Sequence, residues 1–283
     1  MIDITDEEFF SLREYLCQCC GIDVPLDKSY LFKNRLHDLL VETKCNTFAE
    51  LHDILMAGKD GGIQKKLIAC MTTNETSFFR DTHPFESLYY NIMPFIADMR
   101  RAESVYTPPA LRIWSAGCST GQEPYSIAMI VNEWVEEANA YAADRVTILA
   151  SDISERALAK ARSGIYSDAE LMKGVLEMYR DKYFKRERDN WVVADKIRQM
   201  INFQEINLSQ ELRPDIGCFD VIFCRNVIIY FSNELKQKIV KQFHRVLNPG
   251  GILILGASEN LYNISDDFMS EHIGQTIIYR VVK

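Results

Sequence analysis

The chain lacks an excess of basic residues. It has 32 Lys and Arg against 40 Asp and Glu in 283 residues, a formal net charge of -8. An acidic chain of this kind is a poor general binder of nucleic acid, because phosphate binding draws on clustered Lys and Arg. It also lacks an apolar run long enough to cross a bilayer, which excludes direct membrane insertion by a helix. The first residues, Met1 to Glu8, show no basic segment followed by an apolar core. No secretory signal is therefore expected, and a cytoplasmic location is. The eight cysteines include Cys17, Cys19 and Cys20 in one short stretch, but no Cys/His set has zinc spacing, so no metal is expected. They read as reduced, mostly buried thiols. None of the five histidines belongs to a recognisable triad motif.

What is present is an ordinary globular composition, 47% hydrophobic and 25% charged. Residues 1 to about 75 carry helical periodicity and no strand signal. Asp6 is placed to cap a helix with apolar positions Phe9, Phe10, Leu12 and Leu16. A second helix fits Leu31, Phe32, Leu36, Leu39 and Leu40, with Lys33 and His37 on its other face. A third, with Phe48, Leu51, Ile54 and Leu55, ends at Gly58. A fourth carries Ile63, Leu67, Ile68 and Met71. Residues 76–110 read as a linker and one further helix from Pro84 to Met99, stopped by Pro108-Pro109. Strands and helices then alternate over 111–283: strands at 111–115, 146–151, 201–203, 219–224 and 252–256, with a last edge strand at 276–282. Helices are expected at 123–138, 154–163 and 233–247, and a turn at Pro249-Gly250-Gly251. Alternation of this kind gives a largely parallel sheet covered on both faces. The stretch at about 165–200 is too long for a simple return to the sheet. Its aromatic residues, among them Tyr166, Tyr179, Tyr183, Phe184 and Trp191, point to an inserted subdomain of short helices and a hairpin, which either recognises a partner or is a lineage-specific loop with no role of its own.

The run Leu111 to Ala128 is the most informative stretch. An apolar strand enters a small-residue turn, Gly117-Cys118-Ser119-Thr120-Gly121, which opens into an amphipathic helix. This is the nucleotide-binding corner of a doubly wound α/β sheet. The turn lacks the G-x-G-x-x-G spacing, which argues against a nicotinamide cofactor. Glu123 opens the helix, where the helix dipole alone favours a carboxylate. Asp152 ends the second strand, the place of an acid that accepts from ribose hydroxyls, and also a place for a helix cap. Asn207, next to Leu208, can read an adenine edge or cap a turn. Arg225 and Asn226 follow a buried strand at its carboxyl end, where ligands bind, and Tyr230 follows one turn later. Between the two halves lies Thr72 to Arg80, polar, then aromatic, then basic: a capped helix start, or a segment closing over the ligand.

Four of these stretches in order, Thr72 to Arg80, Trp114 to Tyr125, Ala150 to Ile153, and Phe223 to Phe231, make the chain similar to the chemotaxis receptor methyltransferases, the CheR family. The resemblance extends over essentially the whole chain. It implies an all-α N-terminal domain followed by a Rossmann-like S-adenosylmethionine-dependent methyltransferase domain with a small inserted β-containing subdomain. It implies a monomer that methylates glutamate side chains on chemoreceptor cytoplasmic helices and releases S-adenosylhomocysteine. Carried over by motif, Asn74, Thr76 and Arg80 contact the cofactor from the interdomain segment. Gly117 shapes the turn that faces the cofactor. Glu123 and Asp152 hold its amino-acid and ribose portions, Asn207 and Leu208 flank the adenine, and Arg225, Asn226 and Tyr230 line the transfer site. Arg80 and Tyr230 are the expected catalytic residues. The insert hairpin, Lys185 to Trp191, is shorter than in family members that dock on a receptor tail peptide, and it lacks glycine. An enzyme with no need of a receptor tail is the expectation. Rival readings are a methyltransferase acting on nucleic acid or a small metabolite, and a cofactor-binding regulator. A base-methylating enzyme usually carries a Pro-Pro pair where this chain has Arg225-Asn226-Val227-Ile228.

Overall fold

The computed structural model describes residues 2–58, 61–103, 110–138 and 145–282. Its first part is helical: α1 (Asp6–Cys20), α2 (Tyr30–Arg35), α3 (His37–Thr43), α4 (Phe48–Ala57) and α5 (Gly61–Met71). These helices share a core of their own, with Phe9, Leu12, Leu16, Phe32, Leu36, Phe48, Leu51 and Leu67 at its centre. Two details differ from the sequence reading. The cap of α1 is Thr5, not Asp6: Thr5 Oγ1 accepts from the Glu8 N–H at 3.3 Å, and Glu8 Oε2 accepts from the Thr5 N–H at 2.9 Å. This reciprocal box satisfies two otherwise orphaned donors, which Asp6 inside the first turn cannot do. The expected second helix is two helices, bent at the fully buried Leu36.

The chain then runs through α6 (His83–Ser87), a π-helical turn (Leu88–Ile92) and α7 (Met93–Glu103). The expected break at Pro108-Pro109 lies outside the described residues. Next come β1 (Leu111–Ala116), α8 (Gln122–Ala138), β2 (Val146–Asp152) and α9 (Glu155–Ser163). The insert follows as β3 (Ile165–Ser167), α10 (Asp168–Met172), α11 (Glu177–Tyr183), β4 (Phe184–Glu187), β5 (Asn190–Val193) and α12 (Asp195–Arg198). Its strands form a separate three-stranded sheet, ordered β3-β5-β4. The chain closes with β6 (Ile201–Glu205), β7 (Phe219–Cys224), α13 (Asn233–Val246), β8 (Leu247–Leu255), β9 (Phe268–Ile273) and β10 (Thr276–Val281).

The main sheet has seven strands in the order β6-β2-β1-β7-β8-β10-β9. The first five are parallel, and β10 is antiparallel to both of its neighbours. Side chains alternate across it. Ile113, Val221 and Phe223 enter one core, and Trp114, Phe219, Ile222 and Cys224 enter the core on the other face. A strand buried on both faces reads as a continuous apolar run, which is why β1 and β7 were recognisable.

Two expectations about the last strands are corrected. β10 is not an edge strand, because β9 pairs outside it. β9 was missed because only Phe268 is buried in it, while Met269, Ser270, Glu271 and His272 are exposed. Pro249-Gly250-Gly251 is not a free turn but the irregular first half of β8, which pairs with β7 across a register shift.

Candidate active site

A pocket enclosing about 1020 Å³ of space, part of it open to solvent, lies at the carboxyl ends of β1, β2, β6 and β7. The strand order reverses between β2-β1 and β1-β7, and this crevice is where open α/β sheets bind ligands. Its other wall comes from the helical part: Cys20 and Ile22 at the end of α1, and the segment Met71 to Thr76. The candidate cofactor and transfer-site residues line it: Asn74, Thr76, Arg80, Gly117, Glu123, Asp152, Asn207, Leu208, Arg225, Asn226 and Tyr230; Gly121, the other glycine of the turn, does not.

The turn after β1 is shaped by Gly117. Its φ is +80°, and a Cβ there would lie 2.4 Å from Val227 Cγ2. Only glycine accepts both the conformation and the close approach. The Gly117 and Cys118 N–H groups both donate to the Ser151 carbonyl at 2.8 Å, which joins the turn to the end of β2. Asp152, also at that end, accepts from the backbone N–H of Ser119 (2.8 Å) and of Ser154 (2.9 Å). The side-chain cap of α9 is Ser154, so Asp152 bridges two loops instead of capping the helix directly. Burial pushes the Asp152 carboxyl up from its ordinary value, against those N–H donors, which lower it.

Glu123 stands at the start of α8 with its side chain 12% exposed. It accepts from Ser115 Oγ at 2.8 Å and faces a guanidinium nitrogen of Arg225 at 3.3 Å. Burial raises its pKa, and the charge of Arg225 opposes that rise. The Arg225 side chain is only 2% exposed. It also pairs with Asp81 at 2.6 Å and donates to the Arg80 carbonyl at 2.9 Å. Phe79, Asp81 and Thr82 all have positive φ (48°, 67° and 46°), so this segment is held in a conformation that L residues rarely adopt. The Arg225–Asp81 pair and the Phe79 N–H bond to Ser126 Oγ (2.9 Å) fix it against the sheet.

Arg80 donates to the Glu75 carbonyl at 3.2 Å. Among the described residues it forms no ion pair, in contrast to Arg225. Asn226 has a φ of +59°, and its buried Oδ1 has no hydrogen-bond partner. Tyr230 is 38% exposed at the pocket's edge. Asn207 spans the two halves of the molecule: its Nδ2 donates to the Cys19 carbonyl (2.7 Å), and its Oδ1 accepts from the Ser209 N–H (3.0 Å) and Oγ (2.7 Å). Leu208 beside it is buried. The Asn74 carbonyl accepts from Ser119 Oγ at 3.2 Å. Among the described residues no group of three or more His, Cys, Asp or Glu side chains is placed to hold a metal ion. No described helix is long and apolar enough to cross a membrane.

Sequence reasoning missed Asp81, Glu259, and the contribution of Cys20 and Ile22. Asp81 adjoins the Thr72 to Arg80 stretch and was cut off by one residue. Glu259 follows β8 in the polar run Gly256-Ala257-Ser258-Glu259, at a strand's carboxyl end, and that position was the available signal. Nothing in the periodicity of α1 marks its last turn as a pocket wall.

Two family models cover nearly the whole chain. The CheR methyltransferase all-alpha domain matches residues 7–72, and the CheR methyltransferase SAM binding domain matches residues 74–277. A chemotaxis protein methyltransferase of Vibrio parahaemolyticus is 37% identical over 99% of this chain and 98% of its own length. Chemotaxis protein methyltransferase 1 of Vibrio cholerae is 36% identical over the same shares. Chemotaxis protein methyltransferase 1 of Pseudomonas aeruginosa is 36% identical over 96% of this chain and 97% of its own. With both models matched in order and relatives of this similarity along its length, the chain belongs to the CheR family and is an S-adenosylmethionine-dependent methyltransferase.

Proposed function

We propose that this enzyme methylates glutamate side-chain carboxylates on the cytoplasmic helices of chemoreceptors, yielding glutamate methyl esters and S-adenosylhomocysteine. The observation that carries this reading is Arg80: a guanidinium without an ion pair among the described residues, lining one pocket together with Tyr230, the part-buried Glu123 and the buried Asp152. A guanidinium holds a carboxylate through two parallel hydrogen bonds. The domain division proposed with it is a helical unit over 1–75, a connection over 76–110 and a methyltransferase unit over 111–283 with an insert at about 165–200.

The pocket's residues fit the cofactor. Asp152 uses one acceptor direction on each oxygen for backbone N–H groups, which leaves the others for ribose hydroxyls. Glu123 places negative charge for an ammonium group. Asn207 and Leu208 bracket the adenine position, and Asn74 and Thr76 close over the site from the helical side. The unpartnered Asn226 Oδ1 is an acceptor in want of a donor. Bound S-adenosylmethionine supplies an electrophilic methyl on a sulfonium that departs as a neutral thioether.

A glutamate side chain has a free pKa of about 4.3 and is ionised at neutral pH, so the residues of the site need remove no proton from it. Their work is alignment. Arg80 holds the acceptor carboxylate, and the Tyr230 hydroxyl donates to it from the pocket's edge. Orientation of this kind can supply up to ~7–11 kcal/mol of a barrier. The short β4–β5 hairpin, turning at Arg188-Asp189, supports an acceptor taken up without a tail peptide. Incubation with S-adenosylmethionine and a receptor cytoplasmic fragment, followed by mass-spectrometric mapping, tests the reading. Methyl groups on glutamate side chains support it; methylation of lysine or of another class of side chain contradicts it.

A further inference from the structure

Glu259 is 8% exposed, and its carboxylate accepts four hydrogen bonds, all from backbone N–H groups. Oε2 accepts from Asn226 and from Gly256, each at 2.7 Å. Oε1 accepts from Val227 at 2.9 Å and from Ile229 at 3.2 Å. Three of these donors belong to one stretch of the loop after β7, and the fourth belongs to the end of β8. Backbone N–H groups converging on one point make an anion-binding concavity. Here the chain fills that concavity with its own carboxylate.

The loop needs such a partner. Asn226 holds a positive φ of 59°. The 3₁₀ turn Ile228–Tyr230 begins on Val227 with no side-chain cap of its own. Glu259 takes the place of the cap from a distant part of the sequence. The opposite side of the same loop carries Arg225, Asn226, Val227 and Tyr230, all of which line the candidate active site. Glu259 does not line that pocket. It borders a second one on the outer side, beside Ile229, Asn233, Lys236 and Tyr262.

We infer that Glu259 is a positioning residue for methyl transfer: its carboxylate sets the shape of the loop Arg225 to Tyr230 and so the placement of Tyr230 at the transfer site. This inference rests on the proposed role of Tyr230.

Two variants test it in the full-length protein. Glu259→Gln keeps the shape of the side chain but sets an amide NH₂ against backbone donors. We expect kcat for methyl transfer to fall by at least about tenfold, while the Kd for S-adenosylhomocysteine changes by less than about threefold. Hydrogen exchange is expected to quicken at residues 226–229 and to stay unchanged in the helical part. Glu259→Ala opens the concavity toward the outer pocket, and added formate is expected to restore part of the lost turnover. Turnover within about twofold of the parent in Glu259→Gln overturns the inference, as does loss of exchange protection throughout the chain. Failure of formate to act on a folded Glu259→Ala also overturns it. The parent enzyme assayed on the same acceptor separates this outcome from failure of the proposed function, since the latter leaves the parent inactive while the exchange and binding measurements still report on the loop.

Discussion

The backbone N–H of Asp23 donates to the carbonyl of Tyr230 at 3.0 Å, joining the first helix's exit to the edge of the candidate active site. Arg13 clamps that exit, pairing with the Asp23 carboxylate and donating from Nε to the Val24 carbonyl at 2.7 Å. The helical part is thus a wall of the pocket and a brace for Tyr230. Replacing Arg13 by Met is expected to lower kcat by about threefold to tenfold, roughly 1 kcal/mol of transition-state stabilisation, in a protein that stays folded. Initial rates at saturating cofactor measure it; an unchanged kcat removes the brace from the account.

Gly21 shows how tightly the two parts meet. Its φ is +79°, and a Cβ there would lie 2.1 Å from Leu235 Cδ2. A left-handed conformation costs an L residue roughly 1–2 kcal/mol, and overpacking typically adds about 1–3 kcal/mol. Gly21→Ala is therefore expected to destabilise the protein by about 2 kcal/mol or more, read as a lowered unfolding midpoint in denaturant. A midpoint equal to the parent's would mean that the α1 exit and α13 are not packed as described.

Arg80 carries the acceptor in the proposed reaction. Arg80→Ala is expected to reduce methyl transfer at least about tenfold with an unchanged circular dichroism spectrum and melting curve. The other arginine of the pocket behaves differently. Arg225 neutralises Glu123 and Asp81 in a buried setting, and removing one partner of a buried pair typically costs about 3–5 kcal/mol of stability. Arg225→Met should thus lower stability before any effect on turnover can be read. Near-parental activity in Arg80→Ala would take Arg80 out of the mechanism.

The two acids of the pocket set a pH dependence. Burial raises the pKa of Asp152 and of Glu123; Ser154 and Ser119 N–H groups oppose it at the first, and Arg225 opposes it at the second. A folded-state pKa above the unfolded value means that each carboxyl's contribution to stability is full below the unfolded pKa and is lost as pH rises through the folded one. The ionised acids therefore cost the ligand-free protein stability at neutral pH. Cofactor binding, which uses the ionised forms, weakens as pH falls through the same raised values. Titration calorimetry with S-adenosylhomocysteine from neutral pH downward should show affinity declining before the usual carboxylate range is reached, and Asp152→Asn should flatten that decline. A Kd independent of pH over this window would contradict these assignments.

Much of this fold was legible because the sheet is covered on both faces. The apolar runs of β1, β2 and β7, each ending in Gly, Asp or Arg-Asn, mark both a strand and the carboxyl end where ligands bind. Thus the strand-end residues Gly117, Asp152, Arg225 and Asn226 were found on one pocket. What escaped was set by pairing across the chain instead of by local pattern. β9 forms an edge and keeps only Phe268 inside, so its sequence does not alternate. The cap at Thr5 is an exception, since the Thr5-x-x-Glu8 box lies within four residues and is a local signature. Glu259 gains its place from four N–H groups on two other segments, and the link from Asn207 to Cys19 joins opposite ends of the sequence. No local window contains such information.

The measurement that bears most directly on the central claim is transfer of labelled methyl from S-adenosylmethionine to a chemoreceptor cytoplasmic fragment, followed by base treatment. A glutamate methyl ester predicts label on the receptor that base releases as volatile methanol. Label that survives base, or a receptor left unlabelled while S-adenosylhomocysteine binds normally, would contradict it.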